Sequence, residues 1–406
     1  MKHYGPGFLV VAAFIGPGTV TTASLAGARF GYSLVWALIF SVLATIVLQE
    51  MAARLGLVSR RGLGQALRTV FADSRLRLPV CALVVVGIGG GNAAFETGNI
   101  TGAAAGLALL SGGPSQLWAL GTGLLVVCLL ALGTYRAIER CLLVLVLGMS
   151  LVFVLAAVLA RPSVDELIRG AAWPSLPADS VLLIVALIGT TVVPYNLFLH
   201  AEAVRERWAD GLPQPTALRI ARRDTWLSVS IGGVVTLAVV STAAGAFFVR
   251  GIPLDNVGAM ADQLTPLLGS AARSFFAAGL VCAGITSAMT APLAAAYATA
   301  GILGWPRDLR SWRLRAVWGV IVLIGTGLAV VGQSPVAVII VAQAINGVLL
   351  PAVAVFLLIV MNRRELLGEH TNGWLANLLG TLVVVVVSAL GLFQLWTALG
   401  RLLSGG

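Results

Sequence analysis

The stretch Phe14-Ile15-Gly16-Pro17-Gly18-Thr19-Val20 decides the fold, because it sets three helix-disrupting residues inside a segment otherwise apolar enough to cross a membrane. Proline removes a backbone donor and clashes with the preceding turn, and glycine adds backbone freedom, so an unbroken helix here is costly. In lipid such a break is tolerated only where protein or a watery cavity surrounds it. Gly16, Pro17, Gly18 and Thr19 are therefore candidate ligand-binding residues. A second break, Val192-Val193-Pro194-Tyr195-Asn196, falls in the middle of another apolar segment much later in the chain. Paired broken helices point to the binding site of a transporter, which adds Val193, Tyr195 and Asn196 to the candidates.

Composition sets the solvent. Across 406 residues, 59% are hydrophobic and 10% charged, with a mean hydropathy of +0.98, well outside the range of soluble globular chains. The sequence predicts an all-α, polytopic membrane protein. Cys81, Cys128, Cys141 and Cys282 stand singly in apolar surroundings, which fits packing and not a disulfide or zinc framework. The net charge of +10 sits in short loops between apolar spans, the pattern that orients membrane proteins, so nucleic acid is not expected as a partner. The segment after Met1-Lys2-His3 carries Pro and Gly and runs into the next span, unlike a cleavable signal peptide.

With roughly 20 apolar residues per crossing, eleven spans are expected: 6–30, 32–55, 79–111, 117–135, 139–160, 178–204, 225–249, 269–303, 314–331, 335–361 and 374–402. A cytoplasmic N-terminus puts 20 of the 26 Lys and Arg on the inside, including Arg54, Arg60, Arg61, Arg205, Arg207, Arg222, Arg313 and Arg363. That bias predicts a cell inner (plasma) membrane protein with its C-terminus outside. Breaks in the first and sixth spans, which enter from opposite sides, suggest two five-span units related by inversion, 1–160 and 178–361, followed by an extra helix at 374–402. Segment 59–78, with Arg60, Arg61, Arg68, Arg75 and Arg77 around Leu63, Leu67 and Val70, reads as an interfacial amphipathic helix or an ordinary charged loop.

Several runs carry a family resemblance: Gly5-Pro6-Gly7-Phe8-Leu9-Val10, Gly27-Ala28-Arg29-Phe30-Gly31-Tyr32, Gln49-Glu50-Met51-Ala52-Ala53-Arg54-Leu55-Gly56, Gly189 to His200, and Gln343 to Pro351 followed by Asn362-Arg363-Arg364-Glu365-Leu366-Leu367-Gly368. Along nearly its whole length the chain resembles the NRAMP family of proton-coupled divalent metal transporters. The resemblance implies a LeuT-like 5+5 inverted repeat with helices one and six broken. It also implies a ligand set that this chain lacks. Family members that carry transition metals have Asp-Pro-Gly-Asn in the first break and Met-Pro-His in the sixth helix. Here those positions hold Gly16, Thr19, Val193 and Tyr195.

A divalent cation stripped of water needs oxygen, nitrogen or sulfur donors, and a carboxylate also offsets its charge. Gly16 and Val193 offer no side-chain donor, and both, in place of bulkier ligands, are expected to open volume. The expectation that follows is proton-coupled import of a small organic solute, such as an amide, lactam or carboxylate, read by Thr19, Tyr195, Asn196 and Gln343. The alternative is a Mg²⁺ or Mn²⁺ transporter with an altered, all-oxygen site. Protons are expected to couple through Glu96, deep in the third span, with Asn99 beside it, and through His200. By the resemblance, Glu96 stands where the family keeps an Asp, Asn99 where it keeps a Glu, and His200 at the second His of helix six. Simpler roles compete: a packing kink at either proline, a structural Glu96 bonded to Asn92 or Thr97, a satisfied His200, and a helix-to-helix bond for Gln343. No HExxH, paired catalytic carboxylates or Ser/His/Asp set occurs, so an enzyme is not expected, nor is a cofactor, and a monomer is expected to suffice.

Overall fold

The two proline breaks become the starts of two helices. Pro17 and Pro194 both sit at the first helical position, where the missing N–H costs nothing and the fixed φ favours entry. They open α1 (Pro17–Phe30) and α9 (Pro194–Trp208). In this computed structural model, residues 5–7, 15–132, 136–209, 211–306, 308, 310–332 and 334–403 are described. The expected run from Phe8 to Val10, Phe14, and the side chains of Cys141 and Arg401 lie outside those described.

The remaining helices, in chain order, are α2 (Val35–Ser59), α3 (Leu63–Val70), α4 (Arg77–Ser111), α5 (Ser115–Leu132), α6 (Arg136–Ala160), α7 (Val164–Ala172) and α8 (Val181–Thr191). After α9 come α10 (Gln214–Phe248), α11 (Ala272–Leu303), α12 (Trp312–Val331), α13 (Pro335–Met361) and α14 (Trp374–Leu403). Among the described residues nine helices are long and apolar enough to cross a membrane, with α8 and α9 taken together as one span. Ten result if α6 and α7, bent by 114° at their junction, form a broken span. The first of the eleven expected spans is not counted, because part of it falls on residues 8–14.

Between the end of α2 and the start of α4, segment 59–78 is helical over α3, whose apolar face is covered by protein. Leu63, Ala66 and Leu67 are fully buried, and Gly64 lies against the backbone of Ala298 on α11. The expected run of loop between spans five and six instead holds α7. Ser163 caps it by accepting the Glu166 amide at 3.3 Å, with Asp165 and Glu166 in the first turn against the positive helix end.

Glycines bring several more helix pairs into backbone contact. A Cβ on Gly189 would strike the Gln343 carbonyl and the Gly347 amide, and one on Gly347 would meet the Val185 carbonyl at 2.5 Å, so α8 and α13 touch without side chains between them. Gly56 does the same for α2 against Ala201 on α9, and Gly27 for α1 against Val240 on α10. In lipid, where no hydrophobic effect drives helices together, such close approach is what dispersion and packing reward.

A candidate cation site at two helix breaks

At Gly16 the chain is extended, with φ −120° and ψ −173°, before Val20 makes the first helical bond back to the Gly16 carbonyl at 3.1 Å. At the second break Val192 ends α8, and extended Val193, with φ −74° and ψ 122°, leads into α9. Both α1 and α9 therefore direct their electropositive N-termini into the breaks, while α8 ends there with its carbonyls. Residues 15–28 and 183–204 are buried almost throughout, so the breaks are closed off from solvent.

The sequence-predicted residues gather around these breaks from four helices. Gly16 faces Ser287 on α11 and Asn99 on α4: a Cβ placed on it would lie 2.8 Å from Ser287 Oγ and 3.9 Å from Asn99 Oδ1. Pro17 packs against Gly102, and Gly18 against the Gln343 amide. The Thr19 and Thr190 hydroxyls pair at 2.9 Å, tying α1 to α8. Tyr195 meets Phe95 edge to face, ring centroids 5.4 Å apart, one residue along α4 from Glu96. Glu96 itself is fully buried, packed by Gly325 on α12, with Asn99 Nδ2 donating to its Oε2 over a long 3.4 Å.

Unpartnered buried polar atoms are concentrated in this cluster, though Thr122 and Thr225 carry them elsewhere. Most buried hydroxyls here bond back to a carbonyl four residues earlier: Thr22 to Gly18 at 2.6 Å, Thr97 to Ala93 at 2.8 Å, Thr191 to Leu187 at 2.9 Å and Thr286 to Cys282 at 2.7 Å. Around the breaks the reverse holds. Glu96 Oε1, Asn99 Oδ1, the Tyr195 hydroxyl and both side-chain polar atoms of Asn196 and of Gln343 have no hydrogen-bond partner among the described residues. Each such buried group left unpaired costs about 1–3 kcal/mol, a cost that a ligand with polar atoms would offset.

His200 is not brought to Glu96. It lies one turn beyond Asn196 on α9 and turns to α2, its Nδ1 donating to Gln49 Oε1 at 2.8 Å while Nε2 lacks a partner among the described residues. Glu202 pairs with Arg205 at 2.5 Å nearer the end of α9. Val193 contributes backbone only. Ser287, Thr190 and Gln49 were absent from the expected set. Their signal is weak, since Ser and Thr on small-residue helices read as packing faces. Among the described residues no three His, Cys, Asp or Glu side chains cluster, so a bound cation would rest mainly on neutral oxygens.

Two broken helices meeting across buried, unpartnered polar groups, inside a bundle of membrane-spanning helices, define a membrane transporter of LeuT-like fold. A family profile described as natural resistance-associated macrophage protein-like matches residues 7–397. The chain belongs to this NRAMP family. A divalent metal cation transporter MntH of Aeromonas hydrophila is 30% identical over 402 residues, covering 96% of this chain and 94% of that protein. The MntH of Deinococcus radiodurans is 29% identical, covering 98% and 91%. Among solved structures, a manganese transporter of Eremococcus coleocola superposes with a TM-score of 0.81 at 22% identity, covering 99% of this chain and 87% of that one. A nucleobase-cation-symport-1 family transporter superposes with a TM-score of 0.58 at 14% identity, covering 96% and 91%. At those identities the structural likenesses carry the fold alone.

These findings correct the expected organic solute, because the full-length relatives are named for divalent metal cations. The geometry shows where the reasoning failed. Loss of a side chain at Gly16 does not open volume: Ser287 and Asn99 close over it.

Proposed function

We propose that this chain carries a divalent metal cation, Mg²⁺ or Mn²⁺, through the paired breaks, with an oxygen-only ligand shell. The observation that carries the reading is the set of buried oxygens without partners among the described residues, Glu96 Oε1, Asn99 Oδ1, the Tyr195 hydroxyl, Asn196 Oδ1 and Gln343 Oε1. Names of relatives at 27–30% identity over nearly the full chain point the same way. Mg²⁺ and Mn²⁺ suit carboxylate, carbonyl and water oxygens, and Mg²⁺ keeps several of its waters. With Val193 where the family has Met, the site has no sulfur donor to favour softer transition metals.

Glu96 takes the place of the missing first-helix carboxylate as the charge that offsets the cation. A carboxylate buried at membrane depth is costly unless neutral or beside a cation, so protonation and metal binding are linked there. Asn99 orients it, and His200, held by Gln49, offers a second proton carrier toward the end of α9. The five-span units 1–160 and 178–361 supply one break each, so a single chain contains a whole site. The excess of loop cations at one membrane face supports a cytoplasmic N-terminus and an outside C-terminus.

The test is flux into liposomes holding purified protein and a metal-sensitive dye. Uptake of Mn²⁺ or Mg²⁺, each competing with the other and neither blocked by amides or lactams, is expected. Folded, correctly reconstituted protein that moves no divalent cation would overturn the reading.

A further inference from the structure

Away from the breaks, a cavity of about 530 Å³ lies where the end of α13 meets the start of α14, lined by Leu358, Ile359, Asn362, Arg363, Asn377 and Thr381. Its polar wall is rigidly built. The Asn362 and Asn377 amides pair reciprocally at 2.8 Å in both directions, and Asn377 Oδ1 also accepts from Asn372 Nδ2 at 3.0 Å. Asn372 is fixed in turn by the Arg54 guanidinium at 2.8 Å, which also holds the His370 carbonyl at 2.7 Å, and the Asn372 amide bonds back to the Met361 carbonyl at 3.0 Å.

This network leaves an amide donor unspent. Asn362 Nδ2 is spent on Asn377 and on the Leu358 carbonyl at 2.8 Å, but Asn377 Nδ2 makes one bond and has a second hydrogen to give. The Thr381 hydroxyl and the Arg363 guanidinium complete the set, and Arg363 makes no ion pair among the described residues. The lining contains no carboxylate. A cavity that offers an Arg fork, an amide N–H and a hydroxyl, with no opposing negative charge, selects an anion with several oxygens.

Its position selects the kind of anion. Two spans end here, and Trp374, 78% exposed at the first turn of α14, marks the level of the membrane boundary. Below the polar wall Leu358 packs on Gly380, which brings α13 and α14 together, and both helices carry exposed apolar side chains at this level, Val355 on α13 and Leu378 and Leu382 on α14. We propose that this cavity seats the phosphate of an anionic phospholipid, Arg363, Asn377 and Thr381 holding the headgroup while an acyl chain lies in the seam between α13 and α14.

Native mass spectrometry of the detergent-purified full chain tests this with phosphatidylglycerol against phosphatidylcholine. Phosphatidylglycerol should be retained preferentially, and Arg363→Gln should lower its retention about tenfold, the size of one lost charge-assisted contact. Arg364→Gln, on the same link but outside the cavity lining, should leave retention within about twofold of wild type by the same measure. The side chain of Arg363 is exposed and supports no described hydrogen bond, so the variant should melt as wild type does. Equal retention of the two lipids, equal losses in the two variants, no loss in Arg363→Gln, or displacement of the lipid by inorganic phosphate would each overturn the proposal.

Discussion

Restoring a carboxylate at position 16 should strengthen metal binding only if Ser287 is cut back at the same time. The Gly16 backbone, at φ −120° and ψ −173°, is extended and accepts any L-residue, so the obstacle is not the main chain. It is one hydroxyl: a Cβ at 16 meets Ser287 Oγ at 2.8 Å, whereas the next neighbour, Ser287 Cβ, is at 3.6 Å, an ordinary contact. Forcing Gly16→Asp into this space should cost about 1–3 kcal/mol of overpacking, which cancels most of what the new ligand contributes. Ser287→Ala removes that collision. The double variant should therefore bind Mn²⁺ about 10 to 100 times more tightly than Gly16→Asp alone, since each 1.4 kcal/mol is worth tenfold. Calorimetric titration of wild type, both singles and the double closes the thermodynamic cycle. If Gly16→Asp alone matches the double in both affinity and melting temperature, the hydroxyl yields freely and the steric reasoning is wrong.

Three further outcomes are expected. On the proposed role of Glu96, where proton and metal compete, wild-type Mn²⁺ affinity should fall as pH falls, and Glu96→Gln should flatten that dependence in calorimetry; a slope as steep as wild type would remove Glu96 from the linkage. Tyr195→Phe deletes a buried hydroxyl that has no partner among the described residues and carries a penalty of about 1–3 kcal/mol, so its melting temperature should hold or rise while metal uptake drops. A loss of stability would instead assign that hydroxyl a structural bond. Gly189→Ala drives a methyl into the Gln343 carbonyl and the Gly347 amide, backbone atoms that cannot rotate aside. A destabilisation of about 1–3 kcal/mol is expected, read by thermal denaturation.

The architecture was legible because membrane helices obey few rules. Apolar length gave spans such as 335–361, which match α13 residue for residue, and Pro17 and Pro194 lie where proline is tolerated, at the first positions of α1 and α9. Where the chain leaves the bilayer the rules loosen. α7 was missed although Ser163 and Glu166 have the spacing of a helix start, because its nine residues are too few to register as a span. The polar members of the site were legible through their rarity in an apolar setting, as with Glu96, Asn196 and Gln343. Ser287 was not, since a serine among alanines looks like packing until its distance to Gly16 is known. The substrate was misread because absent donors at Gly16 and Val193 were taken to exclude a metal, which the divalent-metal names of the full-length relatives overturn; the space expected at Gly16 is also filled, by Ser287 on another helix.

The glycine contacts have a mechanical meaning. α8 and α13 meet backbone to backbone at Gly189 and Gly347, and α2 and α9 do so at Gly56 and Ala201, which fixes each couple at a close backbone crossing. The two couples are joined through a short link, Val192 and Val193, whose dihedrals of −96°, 70° and −74°, 122° belong to neither adjoining helix. A carrier that exposes a buried ligand first to one side and then to the other would find, in these two valines, a pivot between two helix couples. His200 rides on one couple and Gln343 on the other.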